Sequence, residues 1–232
     1  MRSVAIILLS GIAFFSSLHK SSGNKNESDE KILPEQSSQQ FQQIKENVKE
    51  GDLVVRLNRD PSSQVIKNLN HHDKKYSHAG LVFFENGEPY IYQMMSGSEN
   101  PDEKLDRVEL VKFCDTRENS AVGVFRYAFR PDELSKLKSL IHDWYKRAIL
   151  FDKEFDLKTD DKMYCSEMIS KAITRATRNR IKPGSTILTP EEAKLLAAYF
   201  KKPEKLFRNK KGVMIDNLYL IKNCSPVIES KY

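Results

Sequence analysis

Apolar and polar positions alternate along this 232-residue chain in two rhythms. A period of two, the mark of a half-buried strand, or a short β-branched and aromatic run recurs in Asp52 to Leu57, Ala79 to Phe84, Pro89 to Met95, Leu105 to Phe113 and Ala121 to Tyr127. Helical spacing governs three other stretches. Phe41, Ile44 and Val48 share one side of Ser37 to Val48, which Gly51 stops. Leu134, Leu137, Leu140, Ile141, Trp144 and Tyr145 stripe the stretch Asp132 to Ile149 behind Pro131. Cys165, Met168, Ile169, Ala172, Ile173 and Ala176 fall on one face of a third helix running to Thr177. A short helix is expected at Pro61 to Leu69 with Val65, Ile66 and Leu69 inward, and another after Thr189-Pro190-Glu191-Glu192, reaching Phe200. Val213 to Ile221 reads as a last strand.

The sharpest local signal is Asn86-Gly87 between two strand-like runs, because a type I′ turn needs positive φ at both central positions. With those two residues as the loop, Glu85 pairs with Glu88, Gly80 lies opposite Gln93 and His78 opposite Met95. Side chains alternate along a strand, so His78, Gly80, Gln93 and Met95 share a face, with Gln93 diagonal to His78 at roughly 5 to 8 Å between β-carbons. Gln93 is then within reach of the imidazole.

Composition adds a soluble body: 39% hydrophobic residues suffice for a core and 30% are charged. The beginning of the chain differs. Met1-Arg2-Ser3 is a positive n-region, and Val4 to Phe15 is an almost unbroken apolar run ending in Ser16-Ser17. That is short of the roughly 20 apolar residues of a spanning helix and fits a secretory h-region, so export to the periplasm or cell envelope is expected. No clear Ala-x-Ala precedes Lys20, which keeps an uncleaved N-terminal membrane anchor as the alternative. Residues 1–19 are thus the signal or anchor, 20–40 a polar spacer with almost nothing to bury, and 41–232 one domain. The net charge of +6 does not indicate nucleic acid, because basic residues are interleaved with acids except in Lys201 to Lys211, where no aromatic ladder accompanies them. A solvated face, or proximity to a membrane or cell wall, accounts for it.

Three cysteines in an exported protein leave at least one thiol unpaired within the chain. Cys114 and Cys224 are read as small buried hydrophobes. Cys165 differs, because it opens a helix, where free N–H groups and the positive end of the helix dipole favour a thiolate. The sheet face bearing His78 is the expected partner of this helix, and His78 within reach adds to that effect. The division of labour is Cys165 as nucleophile, His78 as base and Gln93 accepting a hydrogen bond from the other ring nitrogen, with the Cys165 N–H as an oxyanion donor. His71-His72-Asp73 lacks an acid or cysteine at zinc spacing and reads as a polar loop; no metal and no cofactor are expected. Phe155 and Asp156 lie between the Trp144 helix and Cys165 and are taken, with Tyr164, as cleft residues.

The order Gly51-Asp52-Leu53-Val54, Ser77-His78-Ala79-Gly80-Leu81, a hairpin, Phe155-Asp156, Tyr164-Cys165-Ser166-Glu167 and Leu188-Thr189-Pro190 resembles the circularly permuted papain-like amidases of the NlpC type, in particular the YiiX/YaeF group, over residues 51 to 206. The resemblance implies an α+β fold in which an antiparallel sheet packs against helices, the histidine strand precedes the cysteine helix, and the nucleophile sits at a helix N-terminus. It also implies a peptide, small-molecule or acyl substrate: cell-wall peptides or acylated, lipid-like molecules. The group commonly carries Glu where this chain has Gln93, and a neutral amide orients an imidazole without stabilising the imidazolium as a carboxylate does. An exported cysteine hydrolase is the leading expectation, and a non-catalytic binding module that keeps the cleft is the alternative.

Overall fold

A computed structural model of the chain describes residues 35–98 and 100–232. The export signal and most of the polar spacer lie outside the described residues. In chain order the elements are α1 (Glu35–Asn47), β1 (Leu53–Asn58), α2 (Pro61–Ile66) with a 3-10 turn at Lys67–Leu69, β2 (His78–Glu85), β3 (Glu88–Met94), β4 (Leu105–Glu109), α3 (Leu110–Phe113), β5 (Asn119–Tyr127), α4 (Pro131–Lys146), β6 (Leu150–Phe151), β7 (Lys162–Met163), α5 (Cys165–Ala176), β8 (Thr186–Ile187), α6 (Pro190–Phe200), β9 (Lys211–Gly212), α7 (Ile215–Tyr219) and β10 (Cys224–Lys231). Six strands form one antiparallel sheet in the order β10-β5-β1-β2-β3-β4. The chain is therefore a mixed α+β domain built on a large antiparallel sheet. Among the described residues no helix is long and apolar enough to cross a membrane.

Alternation along the strands makes two cores. Leu53, Val55, Ala79, Leu81 and Phe83 face α4 and α5, where Leu137, Trp144, Met168 and Ile169 are fully or almost fully buried. Val54, Val82, Ile91, Val122 and Val124 face the other way, covered by Ile44 and Val48 around α1 and by Leu110 and Phe113 of α3. A third cluster, with Phe155, Tyr164, Leu196, Phe207 and Met214, packs beneath α6.

The hairpin has the expected register, Glu85 opposite Glu88 and Gly80 opposite Gln93. Asn86 (φ 51°) and Gly87 (φ 88°) both sit in the left-handed region, as a type I′ turn requires. The ladder ends before His78 and Met95, so that expected pair does not form. Two strand assignments are corrected. The strand from Leu105 stops at Glu109, because Leu110 and Phe113 reach the α1-side core only by turning into a short helix. Val213 to Ile221 is not a strand: Ile215, Leu218 and Tyr219 fall at helical spacing against the main core, forming α7, and the last strand is β10.

Buried polar groups fix the segments that lead to the sheet. Asp52, almost completely buried, accepts from Lys49 N–H (2.7 Å) and from Arg126 through both oxygens, Nε at 2.8 Å and Nη2 at 2.7 Å. Arg126 Nη2 also donates to the Asn47 carbonyl (2.7 Å), so one bidentate pair ties the end of α1 and β1 to β5. Near the other end of the chain, Asp216 accepts the N–H groups of His71, His72 and Asp73 at 3.0, 2.7 and 3.3 Å. Asn70 reciprocates by accepting from Ile215 N–H (3.0 Å) and donating to the Tyr76 carbonyl (2.7 Å). In α5, Glu167 is buried, accepts the Tyr164 N–H (3.3 Å) and pairs with Lys171 (2.8 Å).

Removing the carboxylate at Asp52 leaves a partly buried guanidinium without its partner, so Asp52→Ala should lower the urea unfolding free energy by about 3 kcal/mol or more; a loss under about 1 kcal/mol would show that the pair does not hold β1 to β5. Burial raises the Glu167 carboxyl to about 7 from an ordinary value of 4.5. The folded state thus holds a proton that the unfolded state has lost, and stability falls as pH rises from about 4.5 to 7, by on the order of 3 kcal/mol for this group. Glu167→Gln keeps the acceptor for the Tyr164 N–H and should flatten that part of the pH–stability curve relative to the parent chain, measured by urea midpoints between pH 4 and 8.

Candidate active site

α5 begins at Cys165 because Tyr164 adopts an extended conformation (φ −91°, ψ 171°) and the Glu167 carboxylate closes back on its N–H. Tyr164 is anchored twice: its hydroxyl accepts the Val213 N–H (2.7 Å), and its ring stacks on Phe155 at 4.1 Å and 15°. Phe155 reaches that position from a left-handed backbone (φ 55°). Ser166 Oγ donates to the Val213 carbonyl (2.7 Å). The first turn of α5 is thereby riveted to the strand-like segment that precedes α7.

The helix packs on the Ala79 and Leu81 face of β2, not on the face bearing His78 as the sequence suggested. His78, the first residue of β2, nevertheless borders a cavity with Cys165, while Gln93, Arg56 and Phe113 around its ring line a separate depression. Cys165 and His78 both border this cavity, with Ser77, Tyr164 and Phe155. The backbone N–H groups of Ser166 and of Ala79, the residue after His78, favour the charged form of the thiol. Among the described residues no hydrogen bond joins thiol and imidazole directly. All three cysteines are free thiols, Cys114 buried and Cys165 and Cys224 partly exposed.

The imidazole is held as expected. His78 Nε2 and Gln93 Oε1 lie 2.8 Å apart, and since the amide oxygen can only accept, Nε2 donates and Nδ1 is the basic nitrogen. On the ring's other flank Phe113 lies at 5.7 Å, and the Arg56 guanidinium sits 4.5 Å from the centre of that phenyl ring. Arg56 carried no signal in the sequence reading; a lone arginine in a strand is legible only once its register opposite His78 is known.

Electrostatics run against a preformed ion pair. Burial pushes the Cys165 thiol up to about 11 from its ordinary 9.0, and hydrogen bonds from Ser166, Ala79 and its own N–H offset this only in part. Burial also pushes His78 down to about 3, helped by the Arg56 charge and opposed by the bond to Gln93. The helix N-terminus and the imidazole do not tip the cysteine to thiolate here, contrary to the sequence expectation, because desolvation of the sulfur outweighs them. At neutral pH the resting state is a thiol with a neutral imidazole.

Asp156 does not join the site. Its oxygen caps the turn at Lys158 N–H (3.1 Å), its own N–H donates to Asp152 (2.6 Å), and it borders a separate polar depression. The His71-His72-Asp73 loop is tied to Asp216, with His71 Nε2 and Glu192 Oε1 at 2.8 Å. Much of the cavity wall went unread in the sequence: Met94, Phe151 and Phe200 come from three separate elements and Met214 from the residue before α7, and only the fold brings them together.

No protein-family model matches the chain. It is 24% identical over 143 residues to "Uncharacterized protein YiiX" of Escherichia coli (strain K12), an alignment covering 56% of this chain and 60% of that relative. The aligned region thus spans well under two thirds of the curated relative. Its fold is similar to the crystal structure of the metalloprotein yiiX from Escherichia coli O157:H7, with a TM-score of 0.64 at 19% identity, covering 80% of this chain and 99% of the other. Sequence and fold together support homology to the YiiX-like proteins.

Proposed function

We propose that the chain is an exported cysteine hydrolase with a permuted papain-like catalytic domain of the NlpC type, cleaving an amide, ester or thioester through an acyl-enzyme. The observation that carries this reading is that Cys165, at the start of α5, and His78, oriented by Gln93, border one cavity. Cell-wall peptides and acylated, lipid-like molecules are both compatible with the chemistry.

The neutral pair makes this a general-base mechanism. As the sulfur attacks the carbonyl carbon, the thiol proton passes to His78 Nδ1 and the carbonyl π electrons move onto oxygen, within reach of the helix N-terminus. Collapse of the tetrahedral species breaks the bond to the leaving amine or alcohol, which takes the proton from the imidazolium. Water, deprotonated by His78, then attacks the thioester, releasing the acid and returning the proton to sulfur. Gln93 holds the ring throughout.

The solved neighbour is described as a metalloprotein. Among the described residues of this chain no group of three or more His, Cys, Asp or Glu side chains converges to hold a metal. The second reading, an envelope binding module that retains the cleft, is favoured by the raised thiol and by an amide at position 93 in place of a carboxylate.

Wild-type protein and Cys165→Ala, incubated with peptidoglycan fragments and with N-acyl amino acids, should differ by at least 10³-fold in turnover, a loss typical of removing a nucleophile; equal rates would sink the mechanism. Iodoacetamide should label Cys165 slowly at pH 7, with the rate climbing about tenfold per pH unit up to pH 10, as for one ionisation above that range. Gln93→Glu places a carboxylate on Nε2, and should raise labelling at pH 7 by an order of magnitude while preserving or raising turnover. An unchanged pH profile in that variant would show that the imidazole does not communicate with the sulfur.

A further inference from the structure

Behind the imidazole, on the sheet face that α3 covers, lies the depression of about 420 Å³ that Asn58, Gln93, Lys112, Phe113 and Glu118 help to line. It shares no lining residue with the cavity at Cys165. His78 stands between the two. It borders the cavity, while Gln93, which holds its ring, and Phe113, which flanks it, border the depression.

Two buried amides that line this space each keep one group unused. Asn58, 5% exposed, has no donor on its Oδ1 among the described residues, and leaving a buried acceptor unsatisfied is costly. Gln93, 4% exposed, spends its Oε1 on His78 Nε2, and no acceptor among the described residues meets its amide nitrogen. Two exposed charges of opposite sign lie on the same wall. Among the described residues neither Lys112 nor Glu118 makes a side-chain hydrogen bond or a close ion pair. The neighbouring charges are committed: Asp115 holds Arg117 through both oxygens, and Arg56 donates to the Phe113 carbonyl (3.5 Å) and lies over its ring.

A ligand that answers all four groups needs a carboxylate for Lys112 and the Gln93 N–H, and a protonated amine for Glu118 and the Asn58 oxygen. Those are the two ends of a short peptide, which meet such partners in charge-assisted bonds. Acetate would satisfy Lys112 and Gln93 and leave Asn58 and Glu118 unanswered. At about 30 Å³ for a water-sized group, 420 Å³ takes on the order of a dozen non-hydrogen atoms, the size of a dipeptide.

We infer that this depression is a second binding site, for a zwitterionic dipeptide, with the ligand carboxylate on Gln93 Nε2 and Lys112 and its ammonium on Asn58 Oδ1 and Glu118. Occupancy then reaches the imidazole, because a carboxylate accepting from the Gln93 amide polarises it and strengthens the bond from His78 Nε2 to Gln93 Oε1.

Full-length protein carrying isotopically labelled histidine is titrated with alanyl-alanine, N-acetyl-alanyl-alanine and alanyl-alanine amide, following the His78 ring nitrogens by magnetic resonance, with His78→Gln to assign them. Alanyl-alanine should bind saturably and move the His78 Nε2 signal, and each blocked dipeptide should bind about tenfold more weakly, as for the loss of one charge-assisted hydrogen bond. Lys112→Glu, on the surface, and Asn58→Ala should weaken alanyl-alanine by a similar factor, and Lys112→Glu decides alone if Asn58→Ala does not fold. Alkylating Cys165 with iodoacetamide obstructs the other cavity and should leave the titration unchanged. An absence of saturable binding, equal binding of the blocked dipeptides, indifference to Lys112→Glu, a silent His78 signal, or loss of binding on alkylation would overturn the inference. None of these readouts involves turnover, so the result is independent of whether Cys165 hydrolyses a substrate.

Discussion

A helix that starts inside a protein must find acceptors for its free N–H groups, and the molecule depends on how α5 meets that demand. The Glu167 side chain takes the Tyr164 N–H, and the N–H groups at the start of the helix partly offset the rise that burial imposes on the Cys165 thiol. Tyr164 and Ser166 bracket Cys165 by gripping the N–H and the carbonyl of a single residue, Val213. These bonds fix the position of Cys165 at the start of the helix.

That burial sets a neutral resting state. Desolvation acts on both partners in the direction that disfavours charge, raising the thiol and lowering the imidazole, and Arg56 reinforces the second effect. Gln93 belongs to this arrangement: a neutral amide orients a neutral ring, whereas a carboxylate there would shift the proton balance. The site rests uncharged, without a standing thiolate.

Much of this was legible in the sequence. The Asn86-Gly87 turn alone dictated which residue faces Gln93, and helical spacing after Cys165 identified the buried face of α5. What failed did so for physical reasons. Alternation cannot tell which of two covered sheet faces a helix will choose, since both faces of β2 are apolar; His78 was therefore placed on the face that α5 packs against. Val213 to Ile221 is apolar enough for either element, and tertiary contacts of Ile215, Leu218 and Tyr219 decided for a helix. Asp156 looked like a cleft acid from its position in the chain, but one of its oxygens caps the local turn and its side chain borders a different depression. Thiol ionisation depends on desolvation, which only the packed structure reveals.

The reciprocal clasp between Asn70 and Asp216 closes a loop of well over a hundred residues. Contacts so distant along the chain form late, after the entropy of closing the intervening loop has been met. Val213, which fixes the first turn of α5, lies in the same C-terminal stretch. A nascent chain that has emerged only as far as α6 therefore has Cys165 and His78 synthesised but lacks residues 213–216, and the surroundings of Cys165 are completed only when that stretch docks.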